Sequence, residues 1–247
     1  MDTSENNKIY RVIPHDEFLS IKERILYEDN HIIIINKLPG EIVQGDKTGD
    51  EPMSEMLKAY IAQKDNKPGR VYMGVPHRLD RPVSGAVIFA KTSKALSRLN
   101  KSFKDGELSK KYWALLEKCP EPKIGELTNY LSKNERNNKS YIVSKPSLNN
   151  KDKNIKEAKL RYKLIAPTQK YFLVEIELLT GRHHQIRCQL AGIHCPIKGD
   201  LKYGARRSNK DGSISLHAHT ISFIHPTKKT RITITAPTYM EKYITKQ

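Results

Sequence analysis

The sequence predicts an α+β fold with a mixed, largely antiparallel β-sheet core and a few flanking helices. Strand-like segments follow one another in runs with few helices between them, unlike the regular alternation of a wound α/β sheet. In the second half of the chain, apolar residues alternate with charged ones at period two. Only three short segments carry helical spacing. The 247 residues suffice for one sizeable core. Residues 1–20 are expected to form an N-terminal arm and residues 21–247 a single domain, since no internal repeat or linker divides them.

His31 to Asn36 is a β-branched run that predicts a buried strand, and Lys37-Leu38-Pro39-Gly40 ends it in a turn. Met53, Met56, Leu57, Tyr60 and Ile61 recur at helical spacing, so residues 53–62 predict an amphipathic helix. Ala86 to Ala90 predicts a short apolar strand. A second helix is expected over Ser93 to Lys104, with Thr92 as its N-cap and Ala95, Leu96, Leu99 and Phe103 turned inward. Lys110 to Glu117 is aromatic and apolar and predicts a strand. The polar stretch 132–156, rich in Asn and Lys, predicts exposed hairpins or loops. Beyond it, Leu160, Tyr162 and Leu164 alternate with Lys and Arg. Phe172, Val174, Ile176 and Leu178 share a face opposite Glu175 and Glu177, and Ile232 and Ile234 repeat the pattern. All predict half-buried strands. Ile186 and Leu190 suit a short helix ended at Gly192.

Hydrophobic residues make up 37% of the chain and charged residues 29%, a globular composition with a polar surface. The net charge of +17 favours polyanions, and nucleic acid is the leading partner class because Lys and Arg neutralise phosphate. A merely solubilising surface would carry the same sign. Three cysteines, Cys119, Cys188 and Cys195, suggest no disulfide framework and point to the reducing cytoplasm. Met1 to Ile9 is acidic and polar and is not expected to act as a signal peptide. The longest purely apolar run, Ile32 to Ile35, is far too short to span a membrane.

Four segments could carry chemistry. In His77-Arg78-Leu79-Asp80-Arg81-Pro82-Val83-Ser84-Gly85, one acid sits among cations, which favour its ionised form. An ionised carboxylate can act as nucleophile or base. From charge spacing alone, however, ordinary surface salt bridges are the simpler reading of Asp80. In Gly181-Arg182-His183-His184-Gln185-Ile186-Arg187-Cys188-Gln189-Leu190, a helix would set Arg182, Gln185 and Gln189 near one face, suited to phosphate or a carboxylate, with Arg187 projecting elsewhere. A metal is the rival use for the nearby His183, His184, Cys188, His194 and Cys195, but no ligand spacing typical of a metal site occurs, and none is expected. The glycines of Pro196-Ile197-Lys198-Gly199-Asp200-Leu201-Lys202-Tyr203-Gly204 suggest tight turns. Lys110-Lys111-Tyr112-Trp113-Ala114 sets aromatics beside lysines on a strand, as base stacking near phosphates requires. Tyr112 and Trp113 must point to opposite faces, so at most one easily faces a ligand.

Together these segments resemble the RluA-type pseudouridine synthases. Residues 77–85 are similar to the family's His-Arg-Leu-Asp-x-x-Thr-Ser-Gly, with Val83 at the Thr position. Residues 181–187 and 196–204 resemble its Gly-Arg-x-His-Gln-Ile-Arg and Pro-Ile-x-Gly-Asp-x-x-Tyr-Gly patterns. Asn36-Lys37 with Pro39-Gly40, and Leu216-His217-Ala218-His219 with Phe223 and His225-Pro226, look like its opening and C-terminal strands. The resemblance covers roughly residues 25–237, so residues 21–247 would form the catalytic domain. Residues 1–20 are too few for the small N-terminal RNA-binding domain of some members. The family implies isomerisation of particular uridines in ribosomal or transfer RNA to pseudouridine. That reaction gains and loses no atoms, so no cofactor is expected. The target base must leave its stack. By resemblance, Asp80 is the catalytic carboxylate, attacking the ribose anomeric carbon or removing a sugar proton. Tyr112 stacks on the base, Arg187 pairs with Asp80, and Arg78 can fill the space of the flipped base. His77, Arg81, Lys37, Arg182, Gln185 and Leu216 complete the expected RNA-contacting set. A monomer acting on RNA is expected, away from membranes. An idle RNA-binding module or a metal-dependent nuclease or deaminase would be the competing classes.

Overall fold

A computed structural model describes residues 9–146 and 154–244. Residues 1–8 of the expected arm and 147–153 of the polar stretch lie outside the described residues. No helix among the described residues is long and apolar enough to cross a membrane.

The expected break between arm and domain at residue 20 is not seen, because helix α1 (His15–Arg24) runs through it. Ile13 and Ile21 are buried, and the backbone of Ile13 exchanges hydrogen bonds with the side-chain amide of Gln63. Apolar anchors at both ends of α1 thus fasten this segment to the core.

Ten strands form one sheet. Strands β1 (Ile25–Glu28), β2 (Ile32–Lys37) and β3 (Ser84–Ala90) make its first edge. Strand β9 (Leu216–Ile224) lies between β3 and β4 (Ser109–Leu116), and β8 (Phe172–Leu178), β7 (Ile155–Pro167), β5 (Ile124–Asn134) and β6 (Lys139–Val143) follow in that order. Strand β10 (Arg231–Thr235) pairs with the far half of β9. Every described strand pairing is antiparallel except β3 with β9, where Ser84 and Gly85 face His217 and Ala218. The β5–β6 hairpin accounts for residues 132–143 of the predicted exposed stretch.

The central strands are buried on both faces, more deeply than period two alone suggests. Ile33 and Ile35 enter the main core while Ile32 and Ile34 enter a second one behind the sheet. This is what a continuous β-branched run does when helices or strands cover both sides. Helix α2 (Met53–Lys64) packs on the main core through Met53, Met56, Leu57, Tyr60 and Ile61. Helix α3 (Ser93–Lys104) covers the opposite face with Ala95 and Leu99, and Thr92 accepts the Ala95 N–H as a true N-cap. Along β4, Tyr112 faces the main core and Trp113 the other layer, as alternation requires.

Gly85 is where the segment carrying Asp80 enters the sheet. Its φ is +117°, and a Cβ there would overlap the backbone of Ala218 on β9. Both the dihedral and the close approach demand glycine. Gly85→Ala is expected to lower stability by about 3 kcal/mol or more. A urea midpoint within error of the parent would contradict this.

Candidate active site

A cleft of about 630 Å3 opens over the main-core face of β4, lined among others by His77, Arg78, Asp80, Tyr112, Arg187 and Leu216. Four sequence-distant segments therefore converge on one space, and they are the segments that carry the sequence motifs.

Asp80 ends the extended run 77–80, and its side chain is 28% exposed. Arg187, on helix α4 (Gln185–Gly192), donates from Nη1 to Asp80 Oδ2 at 3.1 Å. The same guanidinium grips Asp200 with two parallel bonds, Nε to Oδ2 at 2.7 Å and Nη2 to Oδ1 at 2.9 Å. Both Arg187 and Asp200 are buried. Burial works against the Arg187 cation, but Asp200, then Asp80, outweigh it and hold its pKa above the ordinary value. Asp200 thus fixes the arginine, and the arginine presents one remaining N–H to Asp80. Bidentate geometry supplies that rigidity. The segment containing Asp200 suggested only tight turns; a buried arginine serving two carboxylates is the signal that would have singled it out.

His184 was likewise not assigned a role from the sequence. It sits in a left-handed conformation (φ 51°) just before α4, with Nε2 3.5 Å from Asp80 Oδ2. Its Nδ1 lies 3.0 Å from the Tyr203 hydroxyl, which accepts the Ser140 N–H at 2.8 Å. The tautomer follows from charge. If Tyr203 donates to Nδ1, the Nε2–H points at the carboxylate; the reverse would aim a lone pair at it. Ser140 and Tyr203 thus hold the His184 ring beside Asp80. His184 is neutral, because burial, and then the Arg187 charge, push its pKa down to about 2.

Tyr112 is buried to 7% exposure, and burial, with Asp80 adding to it, raises the pKa of its hydroxyl. It is a neutral, fixed ring on the cleft wall. His77 accepts the Ile88 N–H on Nε2 and packs against Phe103 with ring centres 5.0 Å apart. Burial, and then Lys110, push its pKa down to about 3. Behind the sheet, His217 donates from Nε2 to the Ala236 carbonyl, so its Nδ1 accepts from Ser84 and ties down the end of the Asp80 loop.

Two expected RNA contacts, Lys37 and Gln185, are corrected. Lys37 is fully buried, and its Nζ donates to the carbonyls of Leu38, Arg81 and Val83 at 2.9, 3.0 and 2.7 Å. It is a strut beneath the Asp80 loop rather than a surface cation. Burial pushes its pKa down to about 8, so it remains charged at neutral pH and can serve three acceptors. Gln185 is buried, and its Oε1 accepts from the Thr180 hydroxyl and the Arg182 N–H while its amide donates to Lys159. Its polar atoms are engaged within the protein. Arg81 turns away from Asp80 and pairs with Asp50 at 2.7 Å. Arg182 is exposed at the rim, although its Nε is held by the Glu157 carbonyl. Of the five residues weighed as metal ligands, His183 stacks on His184 and meets Ser140 Oγ, Cys188 donates to the Ser140 carbonyl and Cys195 to the Cys119 carbonyl. Among the described residues no group of three His, Cys, Asp or Glu could hold a metal ion.

Three histidines whose pKa is pushed far down have a measurable consequence. His77, His184 and His217 (pushed down to about 4, chiefly by burial) take up no proton in the fold near pH 6, whereas unfolded histidine titrates near 6.5. Between these values the unfolded state binds more protons, so stability rises with pH and is lost as pH falls below about 6.5. Thermal melting at constant ionic strength is expected to drop steadily from pH 6.5 to 4.5. A flat profile would contradict the neutral assignments.

Residues 31–192 match a family described as RNA pseudouridylate synthase. The chain is 33% identical over 221 residues to a ribosomal large subunit pseudouridine synthase C of Buchnera aphidicola, covering 86% of this chain and 66% of that protein. It is 30% identical over 230 residues to the protein of the same name in Vibrio cholerae, covering 90% and 68%. The chain thus spans about two thirds of the length of these relatives. The fold is similar to that of human RNA pseudouridylate synthase domain containing 4, with a TM-score of 0.73 over 92% of this chain and 94% of that one, at 21% identity.

Proposed function

Because this chain belongs to the RNA pseudouridylate synthase family, we propose that it converts particular uridines of ribosomal RNA to pseudouridine, with Asp80 as the catalytic carboxylate. The observation that carries the reading is a partly exposed carboxylate held by a buried arginine inside a cleft walled by a neutral tyrosine.

The reaction breaks the bond between ribose C1′ and uracil N1, turns the base, and forms a bond from C1′ to C5. The C5 proton is then lost and N1 ends protonated. Asp80 would act at the sugar, either by attack on C1′ or by removing a sugar proton. Arg187 and the His184 N–H would hold the carboxylate in place without blocking its second oxygen. Preorganised charge of this kind costs no reorganisation during reaction. Tyr112 would stack on the uracil, and its hydroxyl would help remove the C5 proton. Leu216 would pack against the same base. Arg78, exposed beside the cleft, is free to occupy the space the extruded base vacates.

Ribosomal RNA is favoured over transfer RNA because the relatives reported above bear names that specify the large ribosomal subunit. Action as a monomer is part of the proposal. Three unpaired thiols fit the cytoplasm. Incubation with large-subunit ribosomal RNA transcripts is expected to create pseudouridine at discrete positions, mapped by carbodiimide-dependent reverse-transcription stops. No product in either ribosomal or transfer RNA would overturn the proposal.

A further inference from the structure

A second cleft, of about 780 Å3, shares no lining residue with the Asp80 cleft. Its cations are Lys170, Lys198, Arg206, Arg207 and Lys210. Ion pairs are frequent elsewhere on this surface, yet among the described residues none of these five cations has a carboxylate within pairing distance. Two acids also line the cleft, the half-buried Glu117 and the exposed Asp211, and both are engaged by loop groups. Glu117 accepts the Arg206 backbone N–H, and Asp211 accepts the N–H and hydroxyl of Ser213. The result is a concave surface with five cations against two acids, a net positive charge.

Two rings border the same space. Tyr171 packs against the layer of Trp113 and Leu173, and Lys198 Nζ lies 5.4 Å from its ring centre. Tyr239 is 53% exposed, but its hydroxyl is anchored on Ser215 Oγ at 2.9 Å. A ring fixed at its polar end and more than half exposed can stack a base, and Lys242 Nζ, 5.5 Å from its ring centre, adds a further cation beside it. Phosphate-binding cations interleaved with such rings suit a single nucleic-acid strand. Glu117 lies five residues along β4 from Tyr112, about 16 Å at 3.3 Å per residue. The cleft is therefore within reach of RNA engaged at Asp80 while lying beside the other layer of the sheet.

We infer that this cleft is a second RNA-binding site, taking the backbone phosphates of a single-stranded segment on Arg206, Arg207 and Lys210 and stacking a base on Tyr239 or Tyr171. The inference rests on the RNA-directed reading above. It predicts that the substrate is gripped on both layers of the sheet, so affinity exceeds what the Asp80 cleft supplies alone.

The test uses the full chain and a fluorescein-labelled, uridine-rich 20-nucleotide RNA. The triple variant Arg206→Ala/Arg207→Ala/Lys210→Ala is expected to weaken binding at least about tenfold and to flatten the log–log salt dependence by about 2, as loss of three phosphate contacts to a single strand requires. All three side chains are exposed, and Arg206→Lys/Arg207→Lys, which keeps the charge, is expected to bind like the parent. With 4-thiouridine in the RNA, photo-crosslinks should fall on the peptides of Tyr171 or Tyr239. Parental affinity and salt slope in the triple variant, or crosslinks confined to the Asp80 cleft, would overturn the inference. Pseudouridine formation by the parent protein is scored separately: product with unchanged triple-variant binding refutes this site alone. Crosslinks at Tyr171 or Tyr239 without any product uphold the site and refute the proposed activity.

Discussion

Asp80→Asn is expected to reduce pseudouridine formation by more than about 10^3-fold while leaving RNA affinity little changed. The amide has the same shape. Its oxygen can still accept from Arg187 Nη1, and Arg187 keeps its two bonds to Asp200. The loop should therefore stay in place. What is lost is the negative charge that lets the group attack C1′ or remove a proton. Single-turnover assays with transcript RNA, set beside binding by anisotropy, separate the two effects. Substantial turnover by the variant would remove Asp80 from the chemistry.

Arg187→Ala is expected to act on both fold and activity. It strands the Asp200 carboxylate, whose side chain is 1% exposed, with no cation in reach, and leaves Asp80 unsupported. Removing one partner from a buried ion pair typically costs about 3–5 kcal/mol. Denaturant unfolding should show that loss, and turnover should fall by orders of magnitude. Arg187→Lys should rescue only part of it, since one ammonium cannot reproduce the fork on Asp200 and reach Asp80 as well. The combination Arg187→Met/Asp200→Leu is the informative control. Replacing both charges by apolar groups should recover much of the stability but none of the activity. Recovery of both would show that Arg187 serves only the fold.

The parts of this protein that were legible beforehand are those governed by local pattern. Thr92 caps the helix that its hydroxyl predicts, and the isoleucine run 32–35 forms the buried strand. The motif around Asp80 led to the cleft. What was not legible depends on distance in sequence. Lys37 looked like a cation for phosphate because nothing local to it foretells three carbonyls closing around its Nζ, two of them more than forty residues away. Gln185 and Gln189 looked like donors on a shared helix face. The neighbouring strand backbones instead claim them, Gln189 donating to the carbonyls of Leu127 and Ala158. Arg81 and Asp80 are adjacent in sequence, yet the turn that begins at Arg81 sends its side chain to Asp50. Adjacency in a loop says little about pairing.

The place of β9 in the sheet has a consequence for how the protein comes into being. Strand β9 lies between β3 and β4, which precede it by about a hundred residues, and Leu216 at its start belongs to the cleft wall. During synthesis, β3 and β4 must wait with unpaired edges until β9 emerges. Such edges invite pairing with other chains. Long-range closure of this kind is also slow. The nascent chain is therefore most vulnerable to aggregation while residues 117–215 are being made. The Asp80 cleft stays incomplete until Leu216, which lines its wall, has emerged. Pulse proteolysis of chains stalled before and after residue 224 should reveal this late locking as an abrupt gain in resistance.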